Sequence, residues 1–167
     1  MPLSADDKAT IRDAILAEPR GRNSEACCFL AEHVIGIRVS WYVRIWIGWI
    51  LRYPRTINLA MRGSGKSYVK SVVDLYWILC DFNSCAVTIS KTDEAASSLN
   101  DPVRAILEKN EILKQVFGPF VGKADWKDGK ITVAQRTDHM IPEGTLEARG
   151  IEGQLARTHW NHVGIDD

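Results

Sequence analysis

The fold is decided by the stretch TINLAMRGSGKS, residues 56–67. Residues 56–60 form a β-prone run, residues 61–65 form a glycine-containing turn, and the apolar spacing of residues 66–80 predicts a helix. Residues 60–67 match the phosphate-binding pattern G-x-x-x-x-G-K-S/T, except that Ala60 replaces the first glycine. Alanine is the next smallest residue, and a strand before and a helix after the turn are the expected context of this pattern.

The matching positions have distinct physical roles. Gly63 and Gly65 allow the backbone to curl so that successive N–H groups face an anion, and a helix beginning near Lys66 adds its positive dipole end. Lys66 would place its ammonium on the β- and γ-phosphates of ATP, and the Ser67 hydroxyl would ligate Mg²⁺. The alternative is a flexible surface turn. The predicted nucleotide-binding residues are Ala60, Met61, Arg62, Gly63, Ser64, Gly65, Lys66 and Ser67.

Arg62 lies inside this turn, close before Lys66. Its guanidinium would reach the γ-phosphate and stabilise charge in the transition state, so Arg62 and Lys66 are both candidate catalytic residues. A solvated arginine is the alternative for Arg62.

A second chemical signal is HVGIDD, residues 162–167, an apolar strand that ends in two carboxylates. In a nucleotide site Asp166 would hold Mg²⁺ through water, and Asp167 would orient or deprotonate the attacking water. Many such ATPases have glutamate at the second position, so the identity of the catalytic base stays open. A disordered acidic end is the alternative, but each of the two motifs strengthens the other.

The rest of the chain alternates between strands and helices, which predicts an α/β fold with a mainly parallel central sheet. Strands are predicted at residues 84–90, 130–133, 144–148 and 162–165, and helices at residues 92–109 and 111–117.

Two regions are predicted along the chain. Residues 1–52 form an N-terminal helical attachment, with a polar helix at residues 5–18 and a largely buried, partly amphipathic helix across residues 34–51. Residues 53–167 form the core of the fold. Because a parallel sheet rarely ends on its catalytic edge, we expect this core to be partial, truncated after the strand at residues 162–165, and part of a longer protein.

Composition narrows the possible partners. Lys plus Arg and Asp plus Glu both total 21, so the net charge is zero and any DNA contact must come from local patches. Arg38 and Arg44 interrupt the apolar stretch at residues 34–51, so neither a membrane span nor a membrane partner is expected.

The cysteines and histidines give no strong metal signal. Cys27, Cys28, Cys80 and Cys85 form no C-x-x-C pair, and reduced thiols are expected. His159 and His162 have a spacing that suits a metal ion, but the motif has no third ligand and is more often coincidence.

Aromatic residues are concentrated between residues 41 and 49 and alternate with arginines. They form either a stacking surface for nucleic acid or, as we favour, the packing face of a core helix. The residues are Trp41, Tyr42, Trp46 and Trp49, with Arg38, Arg44 and Arg52.

Four stretches resemble the large terminase subunit, the ATPase that packages viral DNA. Residues 53–67 resemble its phosphate-loop region, in which family members commonly have an arginine inside the loop. Residues 86–92, followed by Ala95 and Ala96, resemble its second strand and helix, and residues 107–113 resemble the helix break after them. The glycine-rich residues 144–154 resemble the segment that terminases place before an apolar strand ending in two acids. Together the matches cover roughly residues 29–167.

The resemblance implies a P-loop NTPase three-layer sandwich of the additional-strand, RecA-like type. It also implies a tailed-phage motor in the host cytoplasm, which assembles as a homo-oligomeric ring on the procapsid portal protein and drives double-stranded DNA inward. The implied ligands are ATP and Mg²⁺, and a small terminase subunit is an implied partner.

In that family an arginine from a neighbouring subunit can complete the ATP site, and here Arg157, or less favourably Arg149, precedes the strand at residues 162–165. Terminase large subunits continue into a metal-dependent nuclease domain. None of that domain is present in this sequence, so no nuclease activity is expected from this chain, and little or no ATP turnover is expected from the fragment alone. A helicase or translocase ATPase and a nucleotide-binding module without turnover are the competing interpretations.

Overall fold

The computed structural model describes residues 2–56, 63–122, 125–152 and 159–165. The described chain is an α/β protein with a five-stranded mixed sheet and surrounding helices. The helices are α1 Ala5–Ile15, α2 Ser24–Phe29 with a π-helical continuation Leu30–Ile35, α3 Trp41–Arg52, α4 Lys66–Cys80, α5 Asp93–Lys109 and α6 Glu111–Phe117. The strands are β1 Ala86–Ser90, β2 Trp126–Lys127, β3 Lys130–Ile131, β4 Leu146–Gly150 and β5 His162–Ile165.

The sheet has the strand order β2-β3-β4-β1-β5. Strands β4, β1 and β5 are parallel, and all five residues of the central strand β1 are buried, as expected where helices cover a parallel sheet. The hairpin β2–β3 turns at Asp128 and Gly129 and adds antiparallel pairs. The sheet is therefore mixed, and the expected parallel arrangement holds for its three strands β4, β1 and β5.

Helices α4 and α5 confirm the sequence prediction closely. Helix α4 spans residues 66–80, as its apolar spacing indicates, and buries Val72, Leu75 and Leu79. The Thr92 hydroxyl accepts a hydrogen bond from the Ala95 N–H at 3.1 Å and caps α5, whose first turn carries two acids. Both helices cover the same face of the sheet, because α4 and α5 each contribute a hydrogen-bond partner to the side chain of Thr88 in β1.

The predicted helix at residues 34–51 is wrong in its boundaries. The π-helical segment ends at Gly36, whose φ of 83° is left-handed, and α3 begins only at Trp41. A left-handed glycine is a common helix terminator because it has no Cβ to clash with the preceding turn. The polar helix predicted for residues 5–18 likewise ends earlier, at Ile15.

Helix α3 is also less buried than predicted. Trp41 is 76% exposed and Trp49 is 53% exposed, whereas Trp46 packs against the core. The core-packing interpretation is therefore wrong for Trp41 and Trp49. Arg44 of the same segment pairs with Glu25 at 2.8 Å and with Glu32 at 3.1 Å, so its charge is neutralised within the chain.

Both predicted regions contribute to one hydrophobic cluster. It contains Ile15 and Leu30 from the N-terminal helices together with Tyr76 of α4, Leu107 of α5 and Phe120. The four cysteines are free, and in the part of the chain that the structure describes no helix is long and apolar enough to cross a bilayer.

Strand positions differ from the predictions by small shifts. Strand β1 begins at residue 86 and not at residue 84, β3 ends at residue 131 and not at residue 133, and β4 spans residues 146–150 and not 144–148. The turn before β4 is held by the side chain of Glu147 in that strand, because the Gly144 N–H donates a hydrogen bond to Glu147 Oε1 at 2.7 Å. The strand predicted at residues 56–60 lies almost wholly outside the described residues.

Candidate functional site

The described end of the loop before α4, residues 63–65, contains two glycines with left-handed backbone. Gly63 and Gly65 have φ values of 79° and 86°, a left-handed region that residues with a Cβ rarely adopt. A Cβ added to either glycine would meet no described atom within 4 Å. The backbone of the loop therefore borders open space, which leaves room for an anion against its N–H groups.

Helix α4 begins at Lys66 without a side-chain cap, because its N-cap residue is Gly65. The first hydrogen bond of the helix runs from the Val69 N–H to the Gly65 carbonyl at 2.9 Å. The first N–H groups of a helix have no acceptor inside it, and the aligned peptide dipoles place partial positive charge at this end. The sequence thus places its lysine at a helix end that favours negative charge.

The direction of α4 relative to β5 brings the N-terminus of the helix and the carboxyl end of the strand to one edge of the sheet. Trp77 of α4 stacks on His162, the first residue of β5, with ring centroids 3.8 Å apart and planes 7° apart. One residue before the end of β5, Gly164 lies against the side chain of Lys70. Helix α4 therefore runs antiparallel to β5. Its N-terminus lies at the carboxyl end of the strand, after which Asp166 and Asp167 follow in the sequence.

A buried polar network lies beneath this helix end. The Lys70 ammonium donates to the Asp74 carboxylate and to Thr88 Oγ1, the latter at 2.5 Å. Thr88 donates in turn to Asn100 Oδ1 at 2.5 Å, and Asn100 donates to the Glu147 carbonyl at 3.1 Å. The network joins α4, β1, α5 and β4, and sequence analysis missed it. The available signal was a Lys–Asp pair four residues apart on an otherwise apolar helix.

Next to the loop lies a cleft of about 610 Å³. One wall comes from the π-helix, the segment after it and the first two turns of α3, and the other comes from the loop and the first two turns of α4. Its lining residues are Ala31, Arg38, Val39, Ser40, Trp41, Tyr42, Val43, Ile47, Gly63, Ser64, Gly65, Tyr68, Val69 and Val72. The sequence had assigned no site to residues 31–47 beyond a possible stacking surface.

Tyr68 borders this cleft from the first turn of α4. Partial burial raises the pKa of its phenol above the ordinary value, because desolvation disfavours the phenolate. The side chain is therefore neutral at physiological pH and does not repel an anion bound at the neighbouring loop.

The carboxyl end of β4 meets the start of α5 at the same edge of the sheet. The Gly150 N–H donates to Asp93 Oδ1 at 2.6 Å, and a Cβ on Gly150 would come within 3.0 Å of the Asp93 nitrogen. Arg149 pairs with Glu147 of its own chain at 2.8 Å. Arg149 was the second candidate for an arginine that completes a neighbouring subunit's site. In this structure it is paired within its own chain.

Several predicted site residues lie outside the described residues, so their positions stay predictions. They are Ala60, Met61, Arg62, Arg157, Asp166 and Asp167. Of the described ones, Gly63, Ser64, Gly65, Lys66 and Ser67 lie together at the start of α4.

The His162 ring packs against Trp77. Burial against Trp77 lowers the pKa of its imidazole, although the nearby Asp74 and Asp81 carboxylates act in the opposite direction. Within residues 2–56, 63–122, 125–152 and 159–165, no group of three or more His, Cys, Asp or Glu side chains is arranged to hold a metal ion.

No protein-family model matches this chain, and no curated protein matches it. Its function must therefore be inferred from the loop, the helix end and the sheet edge.

Proposed function

We propose that this chain is the ATP-binding and hydrolysing domain of a viral DNA-packaging motor of the large terminase type. One observation carries the proposal: the N-terminus of α4, with Gly63, Gly65 and Lys66, lies at the edge of the sheet where β5 ends and Asp166 follows. In open α/β sheets, ligands bind outside the carboxyl ends of the strands. Phosphate-loop and acidic-strand motifs on one edge are what hydrolysis of a nucleoside triphosphate needs.

The assignment of this α/β fold to a specific fold type is part of the same proposal. Three parallel strands in the order β4-β1-β5, with α4 leading into the central strand β1, are compatible with a P-loop NTPase sandwich of the additional-strand, RecA-like type. Such a sandwich would place the β-prone residues 56–60 in the same sheet.

The residues at this edge fit ATP and Mg²⁺ chemically. The open glycine backbone and the uncapped helix end suit a polyphosphate, and the Lys66 ammonium would bind its terminal phosphates. Ser67 and Asp166 would hold the metal ion, which when bound neutralises charge on the phosphate oxygens. The described part of the site thus has the donors that the ligand requires.

We assign the catalytic roles from the sequence motifs, because Asp167, Arg62 and Arg157 lie outside the described residues. Asp167 would orient the attacking water and accept its proton, while Arg62 would stabilise charge on the phosphate being transferred. Arg157 from a neighbouring subunit would complete the site in an assembled ring on the portal, with double-stranded DNA and the small subunit as partners.

Binding of Mg-ATP to the full chain tests the nucleotide site. We expect Lys66→Ala to lose most of the affinity measured by calorimetry while keeping the wild-type circular dichroism spectrum. Lys109→Ala is the matched control, because that lysine is exposed at the far end of α5. Equal affinity of the wild type and Lys66→Ala would refute the nucleotide site. Binding without turnover when the ring is assembled on DNA would instead favour a nucleotide-binding module.

A further inference from the structure

Helix α3 has an apolar outer face, where a surface helix normally carries polar residues. Trp41, Ile45 and Trp49 recur every four residues, so they lie on one face of the helix, and all three are exposed. The opposite face carries Ile47 and Leu51, which are buried in the core. Because both faces of α3 are apolar, the outer face is suited to pack against a further element.

The charges around this face are positive. Residues 33–65 contain no Asp, Glu or Lys, and every permanently charged side chain in that stretch is an arginine. Arg38 before α3, Arg52 in its last turn and Arg55 after it are all exposed. Arg52 follows Trp49 by three residues and therefore lies on the same face of the helix. An element that covers this face should therefore carry negative charge near both of its ends.

We propose that the α3 surface, made of Trp41, Ile45, Trp49 and Arg52, docks an amphipathic helix of another protein. The apolar side of that helix packs on the tryptophans and the isoleucine, and carboxylates beside it pair with the arginines. Aromatic residues and Arg are enriched at the centres of protein interfaces, whereas Lys, Asp and Glu are depleted there. Of these four residues only Trp41 also lines the cleft beside the loop, so the docking role does not depend on the proposed nucleotide site.

A second copy of this chain fits the surface poorly. Packing two α3 helices antiparallel with Ile45 at the centre would place Arg38 of one copy against Arg52 of the other, which brings like charges together. Of the large apolar side chains that are exposed among the described residues, Tyr68 is the only one on a helix other than α3. The other described helices of a second copy therefore offer no apolar face to this surface.

Single-stranded nucleic acid is also a poorer match than an acidic helix. Ile45 lies between the two tryptophans and has no ring on which a base could stack. The Arg52 guanidinium lies over the Tyr53 ring, 5.7 Å from its centroid, so that ring face is already in use. Alternating tryptophan and isoleucine instead form a ridge against which apolar side chains of a second helix can pack.

The test titrates the full chain with two fluorescein-labelled helical peptides and follows their anisotropy. The acidic peptide has about 18 residues, with leucines every three or four positions and glutamates beside them. The matched peptide has lysine in place of each glutamate. We expect the acidic peptide to saturate at about 100 μM or less and the lysine peptide to bind at least about tenfold more weakly.

Two variants test the surface itself. Trp49→Gln should weaken the acidic peptide about tenfold or more. Arg52→Glu should weaken the acidic peptide about fivefold and strengthen the lysine peptide by a similar factor, an exchange of preference that a purely structural role would not produce. Met140→Gln is the matched control, because Met140 is 90% exposed in the loop before β4 and lies outside α3. None of the three residues lines the cleft or the loop, so Mg-ATP affinity should be unchanged in all three variants.

The outcomes against the proposal are specific. Absence of binding by the acidic peptide, equal binding of the two peptides, or binding that Trp49→Gln leaves unchanged would each overturn it. Tighter binding of a single-stranded oligothymidylate than of the acidic peptide, lost in Trp49→Gln, would assign the surface to nucleic acid instead. Self-association in sedimentation velocity that Trp49→Gln abolishes would assign it to a second copy. Mg-ATP binding is measured separately, so none of these results bears on the nucleotide site.

Discussion

Gly164 of β5 lies directly against the side chain of Lys70 in α4, so closely that a Cβ on Gly164 would overlap Lys70 Cε. Together with the stack of Trp77 on His162, this contact fixes the direction of α4 along β5. It is the reason that the glycine loop and the carboxyl end of β5 lie at one edge of the sheet.

Gly164→Ala should therefore destabilise the fold. The added methyl displaces Lys70 from its hydrogen bond with Thr88, and we expect a loss of about 1–3 kcal/mol in the free energy of unfolding measured in urea. Gly48→Ala is the control, since a Cβ on that helical glycine meets only Ser24 Cβ at 4.0 Å. It should be neutral or stabilise α3 by up to about 1 kcal/mol. Equal effects of the two substitutions would show that the Gly164 contact is loose.

Lys70→Met should destabilise the chain strongly. Asp74 has a side chain only 6% exposed and would lose its charged partner, which costs about 3–5 kcal/mol when a buried pair is broken. The double variant Lys70→Met/Asp74→Leu should recover most of that loss, because no buried charge remains. Urea unfolding of the two variants measures the difference. A single variant as stable as the wild type would contradict a buried, paired charge.

His162 makes stability depend on pH. Burial lowers the pKa of the folded imidazole below its unfolded value of about 6.5, so the unfolded chain binds more protons between those two values. The free energy of unfolding should be fully retained above the unfolded pKa and should fall as the pH drops through the folded pKa. His162→Phe keeps a ring on Trp77 and should remove this part of the pH dependence. Parallel pH profiles of both proteins would disprove the assignment.

Comparing Gly65→Ala with a second glycine substitution separates the effect of backbone strain on stability from the effect on Mg-ATP binding. The left-handed φ of 86° makes an alanine there cost about 1–2 kcal/mol of stability. Gly129→Ala, in the β2–β3 turn with φ of 79° and equally open space, should cost about the same. Only Gly65→Ala should also weaken Mg-ATP binding, by about tenfold or more, because it places a methyl group beside the phosphate cradle. Binding losses of equal size in both variants would indicate a global effect.

Local patterns allowed much of this fold to be predicted. The bounds of α4 follow from its apolar spacing, and the start of α5 follows from Thr92 as a helix cap with two acids after it. The glycine-containing turn at residues 61–65 was predicted from its sequence pattern, and Gly63 and Gly65 in its described part have the positive φ that glycine adopts most easily. Each of these signals lies within a few residues of the structure it specifies.

Long-range features could not be predicted in the same way. The Lys70–Thr88–Asn100 network joins three elements, and no short segment contains its spacing. The exposure of Trp41 and Trp49 depends on which face of α3 meets the core, and an arginine-interrupted aromatic helix leaves that choice open. The cleft beside the loop exists only because α3 packs next to α4.

The start of α4 and the acids after β5 together make up the proposed metal-nucleotide site. The most direct test measures ATP affinity with and without Mg²⁺ in the wild type and in Asp166→Asn. We predict that Mg²⁺ strengthens ATP binding to the wild type about tenfold or more and has little effect on Asp166→Asn, whose metal-free affinity stays near that of the wild type. An equal gain from Mg²⁺ in both proteins would place the metal ion away from Asp166 and contradict the account.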